Sequence, residues 1–360
     1  MMRVLVVHAP RLLVEELARR GLDIVVANAS QQSAVTLPDA SRCRFVSFPY
    51  RQKLDPRAIR DMRRIIREHR PDLIHAFSPR SLATAVVATI GMRSAPAIMS
   101  FRGISTPPKW RDPSDLLTFL SRRVIAHACE SEAVADGLVQ AGITRDACHV
   151  VYNCVDRAAL GPQDRHAIRE RFGIPHNAFV IGSVASIRPV KGIDILLDAA
   201  VECLDLDDLY VLLVGPIKDA AVAKRARDPR WAGRLRLAGF VPAGGGLARG
   251  FDVFAMPSRH EGLCRALLEA MSMETCPIVS DAGGMKELVR HEREGLVVPR
   301  CDGNALSAAI RHLHARRSLI SEYAAAARRR VESMCSPVAM ADRVERSYQA
   351  VSRQAATARR

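Results

Sequence analysis

From Phe251 to Val298 the chain alternates short apolar runs with helical segments, and this alternation restricts its fold more than any other feature. Phe251 to Met256 (FDVFAM) is a strand-length apolar run that Pro257 ends. Residues 258–262 are polar and finish on Gly262, as a loop does. Leu263 to Met273 carries apolar residues at helical spacing. Pro277 to Ser280 is a second apolar run, Asp281-Ala282-Gly283-Gly284 a turn, Met285 to Arg290 a short helix and Leu296 to Val298 a third strand. Strand, helix, strand, helix, strand is the rhythm of βαβ units in a parallel sheet. Ligands of such sheets bind beyond the carboxyl ends of the strands. Glu261 falls in a loop at such an end, and Glu269 one to two turns into the following helix. The two carboxylates are therefore expected to touch different parts of one ligand and not to share a proton.

The same rhythm extends upstream. Ala178 to Ser183 reads as a strand, Ile193 to about Leu204 as a helix, and Leu209 to Gly215 and Leu235 to Gly239 as two further buried strands. Near the start, Arg3 to Val7 and Leu22 to Ala27 are strands around a first helix, and Ile125 leads into one that ends at the Ser131-Glu132 turn. Ser336-Pro337 marks a kink before a terminal helix from Val338 to Val351. With 360 residues, 48% hydrophobic and 25% charged, the chain suits two domains of ordinary size.

No run reaches the roughly 18 apolar residues of a transmembrane helix. The apolar stretch at the start spans only Val4 to Val7, and Glu15-Glu16 follow, so it does not read as a secretion signal. The nine cysteines are odd in number, scattered and free of any C-x-x-C pair, which reads as reduced cytoplasmic thiols without a zinc site. The net charge of +15 bears on partners. Part of it lies on an amphipathic helix from Arg57 to Arg70, where Ile59, Met62, Ile65 and Ile66 can face a core and the arginines face out. More lies at Arg122-Arg123 and in the tail from Arg353 to Arg360. A solvated face and an attraction to anionic membrane lipid both fit. Nucleic acid does not: aromatics are only 5% and no recognition motif is present.

The ordered set Pro257-Ser258, Glu261-Gly262, Glu269-Ala270-Met271, Pro277-Ile278-Val279, Gly283-Gly284, Glu287 and Gly295 resembles the donor-binding segment of retaining glycosyltransferases of family 4, which have the GT-B fold. The resemblance implies two Rossmann-like βαβ domains facing each other across a cleft, with a C-terminal helix crossing back to the first. Residues 1–160 would bind the acceptor, 161–336 the nucleotide sugar, and 337–360 would form the crossover helix and basic tail. The boundary is expected near Asp156 to Arg171, where Gly161-Pro162 punctuates a polar stretch.

By the same resemblance, Glu261 would hydrogen-bond hydroxyls of the transferred sugar. Glu269 would accept both ribose hydroxyls, which suits the two oxygens of a carboxylate. The backbone N–H groups of Gly262 and Leu263, at a helix start, would favour phosphate. Lys191, before Gly192, and Arg188 would hold the diphosphate and take the role that a divalent metal plays in other transferases. Alone, this pair reads equally well as a basic surface loop. Phe240 and Val241 would seat the base. No metal and no cofactor besides the donor is implied.

The first half matches less sharply. Arg70-Pro71 precedes the strand of His75, Phe101-Arg102-Gly103 is followed by Asp112-Pro113 and Leu117-Thr118, and Asn153-Cys154-Val155-Asp156 stands where the family has Asn-Gly-Val-Asp. His8-Ala9-Pro10-Arg11 lacks the family's paired glycines. Phe77 stands where a cleft histidine is common, which leaves His75 or Arg80 as candidates to serve the cleft, although a lone histidine at a strand end is more often structural. Glu274 replaces a helix-ending glycine. The function implied is retaining transfer of a sugar from a nucleotide to a cell-envelope acceptor (lipopolysaccharide, polysaccharide or lipid-linked), in the cytoplasm or on the inner face of its membrane. The alternatives are a non-catalytic nucleotide-sugar-binding subunit and an epimerase of the same fold. Base, sugar, acceptor and linkage are not legible.

Overall fold

The computed structural model describes residues 2–28, 42–49, 54–161 and 164–357. Pro162 and the last three arginine-tail residues lie outside this set. The chain divides into two compact units, 1–154 with 337–360, and 155–336. The division falls between Cys154 and Val155, ahead of Gly161.

The first unit begins β1 (Arg3–Val7), α1 (Arg11–Arg19), β2 (Asp23–Asn28), β3 (Cys43–Ser47), α2 (Pro56–His69), β4 (Leu73–Ala76) and α3 (Pro79–Ala88). It continues with β5 (Ala97–Arg102), α4 (Pro113–Leu117), β6 (Val124–Cys129), α5 (Glu132–Gln140) and β7 (Cys148–Val150). The seven strands lie in the order β3-β2-β1-β4-β5-β6-β7, all parallel. Alternate residues of β1 serve opposite faces. Leu5 and Val7 join Met62, Ile65 and Ile66 of α2 in one core, while Val4 and Val6 join Leu13, Val14 and Leu17 of α1 in the other. A sheet buried on both faces is why its strands read as continuous apolar runs. Helix α2 is capped by Asp55, which accepts from Arg57 N at 2.8 Å, and it ends at Arg70 in the left-handed region (φ 46°). Of its expected core face, Met62, Ile65 and Ile66 are buried and Ile59 is half-buried.

The second unit runs α6 (Arg165–Arg171), β8 (Phe179–Val184), α7 (Ile193–Val201), β9 (Leu209–Val214), α8 (Ala220–Arg225), β10 (Leu235–Gly239), β11 (Val253–Met256) and α9 (Arg265–Ser272). Then come β12 (Cys276–Ser280), α10 (Met285–Leu288), β13 (Leu296–Val298), α11 (Gly303–Ala315) and α12 (Arg317–Met334). Its six strands are parallel in the order β10-β9-β8-β11-β12-β13. The loops that carry Lys191, Glu261 and Gly283 thus follow central strands, β8, β11 and β12.

The last helix, α13 (Pro337–Thr357), belongs to the first unit. Met340, Ala341, Val344, Tyr348 and Val351 form one buried stripe that packs into the α1 core. Burial of each large apolar side chain there contributes about 1.5–3 kcal/mol. Arg20 of α1 fastens the helix's start through Asp342 at 2.7 Å, Glu345 at 3.2 Å and the Val338 carbonyl at 3.2 Å.

Candidate donor site

After β8 the chain makes a 3-10 turn, Pro189–Lys191, and reaches Gly192 in the left-handed region. A Cβ on Gly192 would lie 2.0 Å from the Pro257 carbonyl oxygen, so only glycine lets this loop close on the loop after β11. A clamp holds the two together. Arg259 N donates to the Val190 carbonyl at 2.8 Å, and its guanidinium donates to both oxygens of Asp194 at 2.8 and 2.7 Å and to the Pro189 carbonyl at 2.6 Å. Hydrogen bonds from Arg259 hold the Asp194 carboxyl below its usual range.

The clamp brings Lys191 to Glu261. Lys191 Nζ lies 2.6 Å from Glu261 Oε2, with only 17% and 12% of the two side chains exposed. Ser258 Oγ donates to the same carboxylate at 3.2 Å, and Ser280 Oγ of β12 donates to the Ser258 carbonyl at 2.6 Å. The turn after β12 closes the third side: Gly284 N donates to the Gly262 carbonyl at 2.7 Å, and a Cβ on Gly283 (φ 56°) would meet the Glu261 carbonyl oxygen at 1.9 Å. Burial alone would lower the Lys191 pKa, but electrostatic attraction, including that of the Glu261 carboxylate that accepts its hydrogen bond, outweighs it and raises the pKa overall. The ammonium therefore stays charged at neutral pH. Arg188 is exposed on the same loop, its charge is felt by Lys191, and among the described residues it forms no ion pair.

Helix α9 starts at Arg265 after Cys264, which sits in the left-handed region (φ 69°). Gly262 and Leu263 thus precede the helix and are not part of its first turn, a correction to the sequence expectation; Leu263 is core. Positive φ at Cys264 ends the loop abruptly and delays the helix by two residues. Glu269 follows one turn in. Burial raises its pKa, opposed by Arg265 at 3.7 Å. Facing it is Gly245, whose Cβ would fall 2.1 Å from Glu269 Oε2. The glycine turn Gly244–Gly250 follows the loop after β10, where Phe240 is 76% exposed and Val241 packs toward Gly244. Phe240 and Val241 are thereby linked through this turn to Glu269.

The structure brings Glu261, Lys191, Arg188 and Gly262 together, and Glu269 with the Val241–Gly245 loop. His75 belongs to the first unit and has no exposed surface. Its Nδ1 lies 2.9 Å from the Tyr348 hydroxyl of α13, its ring centroid is 4.1 Å from Phe77, and burial lowers its pKa to about 3. A neutral ring so placed holds the crossover helix. Sequence reading passed over Gly245, Ser280 and the Asp194–Arg259 clamp, and noted Ser258 only as part of the motif. Three consecutive glycines at 244–246 were the one signal that could have flagged the first. Among the described residues, no three His, Cys, Asp or Glu side chains gather as a metal site, and no helix is long and apolar enough to cross a membrane.

Residues 178–316 match the family model described as glycosyl transferases group 1, and residues 10–159 the model described as glycosyltransferase family 4. The chain belongs to glycosyltransferase family 4. This family-4 chain is 28% identical over 302 residues to a GDP-mannose-dependent alpha-mannosyltransferase of Mycolicibacterium smegmatis, covering 80% of this chain and 76% of that one. It is 32% identical over 180 residues to a D-inositol 3-phosphate glycosyltransferase of Geodermatophilus obscurus, covering 46% and 40%. Among solved structures, Alr3699/HepE of Anabaena in complex with UDP-glucose matches with a TM-score of 0.77 at 20% identity, covering 97% of this chain and 100% of that one. The family-4 chain therefore has the GT-B fold and is a glycosyltransferase.

Proposed function

We propose that this glycosyltransferase moves a sugar from a nucleoside-diphosphate donor to a cell-envelope acceptor with retention at the anomeric carbon and without a metal. The observation that carries this reading is the Lys191–Glu261 pair at 2.6 Å, formed where three strand-end loops converge. In this reading Lys191 and Arg188 neutralise the diphosphate as it leaves, and Glu261 takes hydroxyls of the transferred sugar. Charge then builds on the departing phosphate where these two cations meet it. The sugar passes through an oxocarbenium-like state. The acceptor hydroxyl attacks from the face the phosphate leaves and gives its proton to the leaving phosphate oxygen, so no separate general base is required. Glu269 takes the ribose diol, and the exposed ring of Phe240 lies beside the base.

The acceptor setting is supported by the first unit's surface. Arg57, Arg60, Arg64 and Arg67 are exposed along α2, and Arg63 reaches the carbonyl of Ile90, itself 54% exposed. A basic face beside an exposed apolar side chain suits an anionic lipid surface. The experiment is release of nucleoside diphosphate from a panel of nucleotide sugars, with EDTA present, on supplying an envelope lipid extract. Acceptor-dependent release supports the proposal. Release without acceptor, or none with any donor, refutes it in favour of a binding subunit or an isomerase.

A further inference from the structure

A cavity lies at the β7 edge of the first unit's sheet, with a volume of about 410 Å³. That is within the range of small-molecule sites. Three guanidiniums line it: Arg145 from the turn before β7, and Arg343 and Arg346 from α13. The one carboxylate in the lining is Glu132, which Arg145 holds. Arg343 and Arg346 stand three residues apart on one helix, where like charges repel. The cluster is also ordered. Arg145 Nη1 donates to the Cys148 carbonyl at 2.8 Å, and the Arg343 guanidinium stacks on the Tyr152 ring at 4.9 Å. His149, also in the lining, has a buried Nε2 with no hydrogen-bond partner. A buried polar atom without a partner is unfavourable, and three guanidiniums around one carboxylate leave a net positive charge that a bound anion would neutralise.

We propose that this cavity binds the phosphate group of a phosphorylated ligand. A carboxylate offers two oxygens in a plane and satisfies one guanidinium. A phosphate monoester offers three oxygens and nearly two charges, and can face several guanidiniums at once. No residue of the cavity belongs to the unit that carries the donor loops, so the site goes beyond the donor reading and does not depend on it. The phosphate can come from a soluble phosphomonoester or from a phospholipid headgroup.

The test uses the full chain and three probes: inorganic phosphate, glycerol 3-phosphate, and phosphatidylcholine vesicles containing phosphatidic acid. Calorimetry reads the first two and co-sedimentation the third. Lys191→Ala removes the donor-side cation, so binding that persists in it does not need that cation, and its dependence on Arg346 places it in this cavity. Arg346 and Glu132 are exposed, so their replacement leaves the fold intact. Arg346→Ala is expected to weaken binding about tenfold, the scale of one charge-assisted hydrogen bond. Glu132→Gln is expected to strengthen it. Vesicle binding that glycerol 3-phosphate displaces assigns a soluble ligand. Vesicle binding that depends on Arg346 and resists displacement assigns a headgroup. No binding of any probe, affinity unchanged in both variants, or binding abolished by Lys191→Ala would overturn the proposal.

Discussion

Gly245→Ala gives the sharpest test of the ribose-binding role proposed for Glu269. The added methyl carbon would sit 2.1 Å from Glu269 Oε2 and 2.8 Å from its Cδ, whereas real contacts stay above 3.0 Å. The carboxylate must retreat by at least 0.9 Å (3.0 minus 2.1). Its retreat is constrained, because the side chain is only 22% exposed. A displacement near 1 Å breaks a hydrogen bond of normal length. Each charge-assisted bond to the ribose diol is worth about 1.5–3 kcal/mol, a factor of roughly 10 to 150 in affinity. The assay is calorimetric binding of a nucleoside diphosphate and its 2′-deoxy analogue to both proteins. The parent protein should prefer the ribose form by about tenfold or more, and Gly245→Ala should lose that preference while retaining its melting temperature within a few degrees. If the variant keeps the ribose preference, the contact between this turn and the nucleotide is refuted.

Other expectations follow from single residues. Lys191→Ala and Glu261→Ala should each lower kcat/KM by about a hundredfold or more with the circular-dichroism spectrum unchanged, since each removes a group proposed to meet the reacting centre. His75 and His127 are neutral in the fold, with pKa values lowered by burial to about 3 and about 4 from 6.5. The unfolded chain binds more protons below pH 6.5, so their contribution to stability is complete above that pH. It falls as pH drops toward 4 and 3, by up to about 1.4 kcal/mol per unit for each ring. Denaturant midpoints at pH 7 and 5 read this, and His75→Gln should flatten the slope. Glu274 holds a left-handed conformation (φ 60°), paired with Arg328 at 3.2 Å and Arg249 at 3.8 Å on a partly exposed surface. Relief of about 1 kcal/mol of backbone strain should outweigh two weak ion pairs, so Glu274→Gly should raise the melting temperature. Tyr348→Phe should cost about 1 kcal/mol by leaving His75 without its one hydrogen bond, measurable as a shift in the denaturant midpoint.

The donor half was legible because its strands lie in the middle of a buried parallel sheet, where continuous apolar runs and glycine turns leave strong marks. β11, β12 and β13 start or end within two residues of the runs read as strands. β3, β5 and β7 were not read: β3 and β7 are short edge strands whose residues are mostly half-exposed, whereas β5 is a largely buried central strand whose apolar residues run straight into Ser100 and Arg102. The glutamates and Lys191 announced themselves through the family resemblance of the segments that carry them. The Asp194–Arg259 clamp and Ser280 did not, since their partners lie 65 and 22 residues away in sequence. His75 stood as a candidate for the cleft, with a structural strand-end histidine as the commoner reading. Only the packing of Tyr348, 273 residues later, explains it. Cys264 and Glu274 take left-handed conformations that their side chains do not advertise.

The central claim is a donor site in which Lys191 meets the diphosphate without help from a metal. Calorimetric titration of the full chain and of Lys191→Ala with ADP, GDP, UDP and TDP, in EDTA, tests it most directly. The account predicts that one base series binds the parent protein and that the variant binds it at least tenfold more weakly. Equal affinity in the variant, or binding that appears only when a divalent cation replaces EDTA, would contradict it.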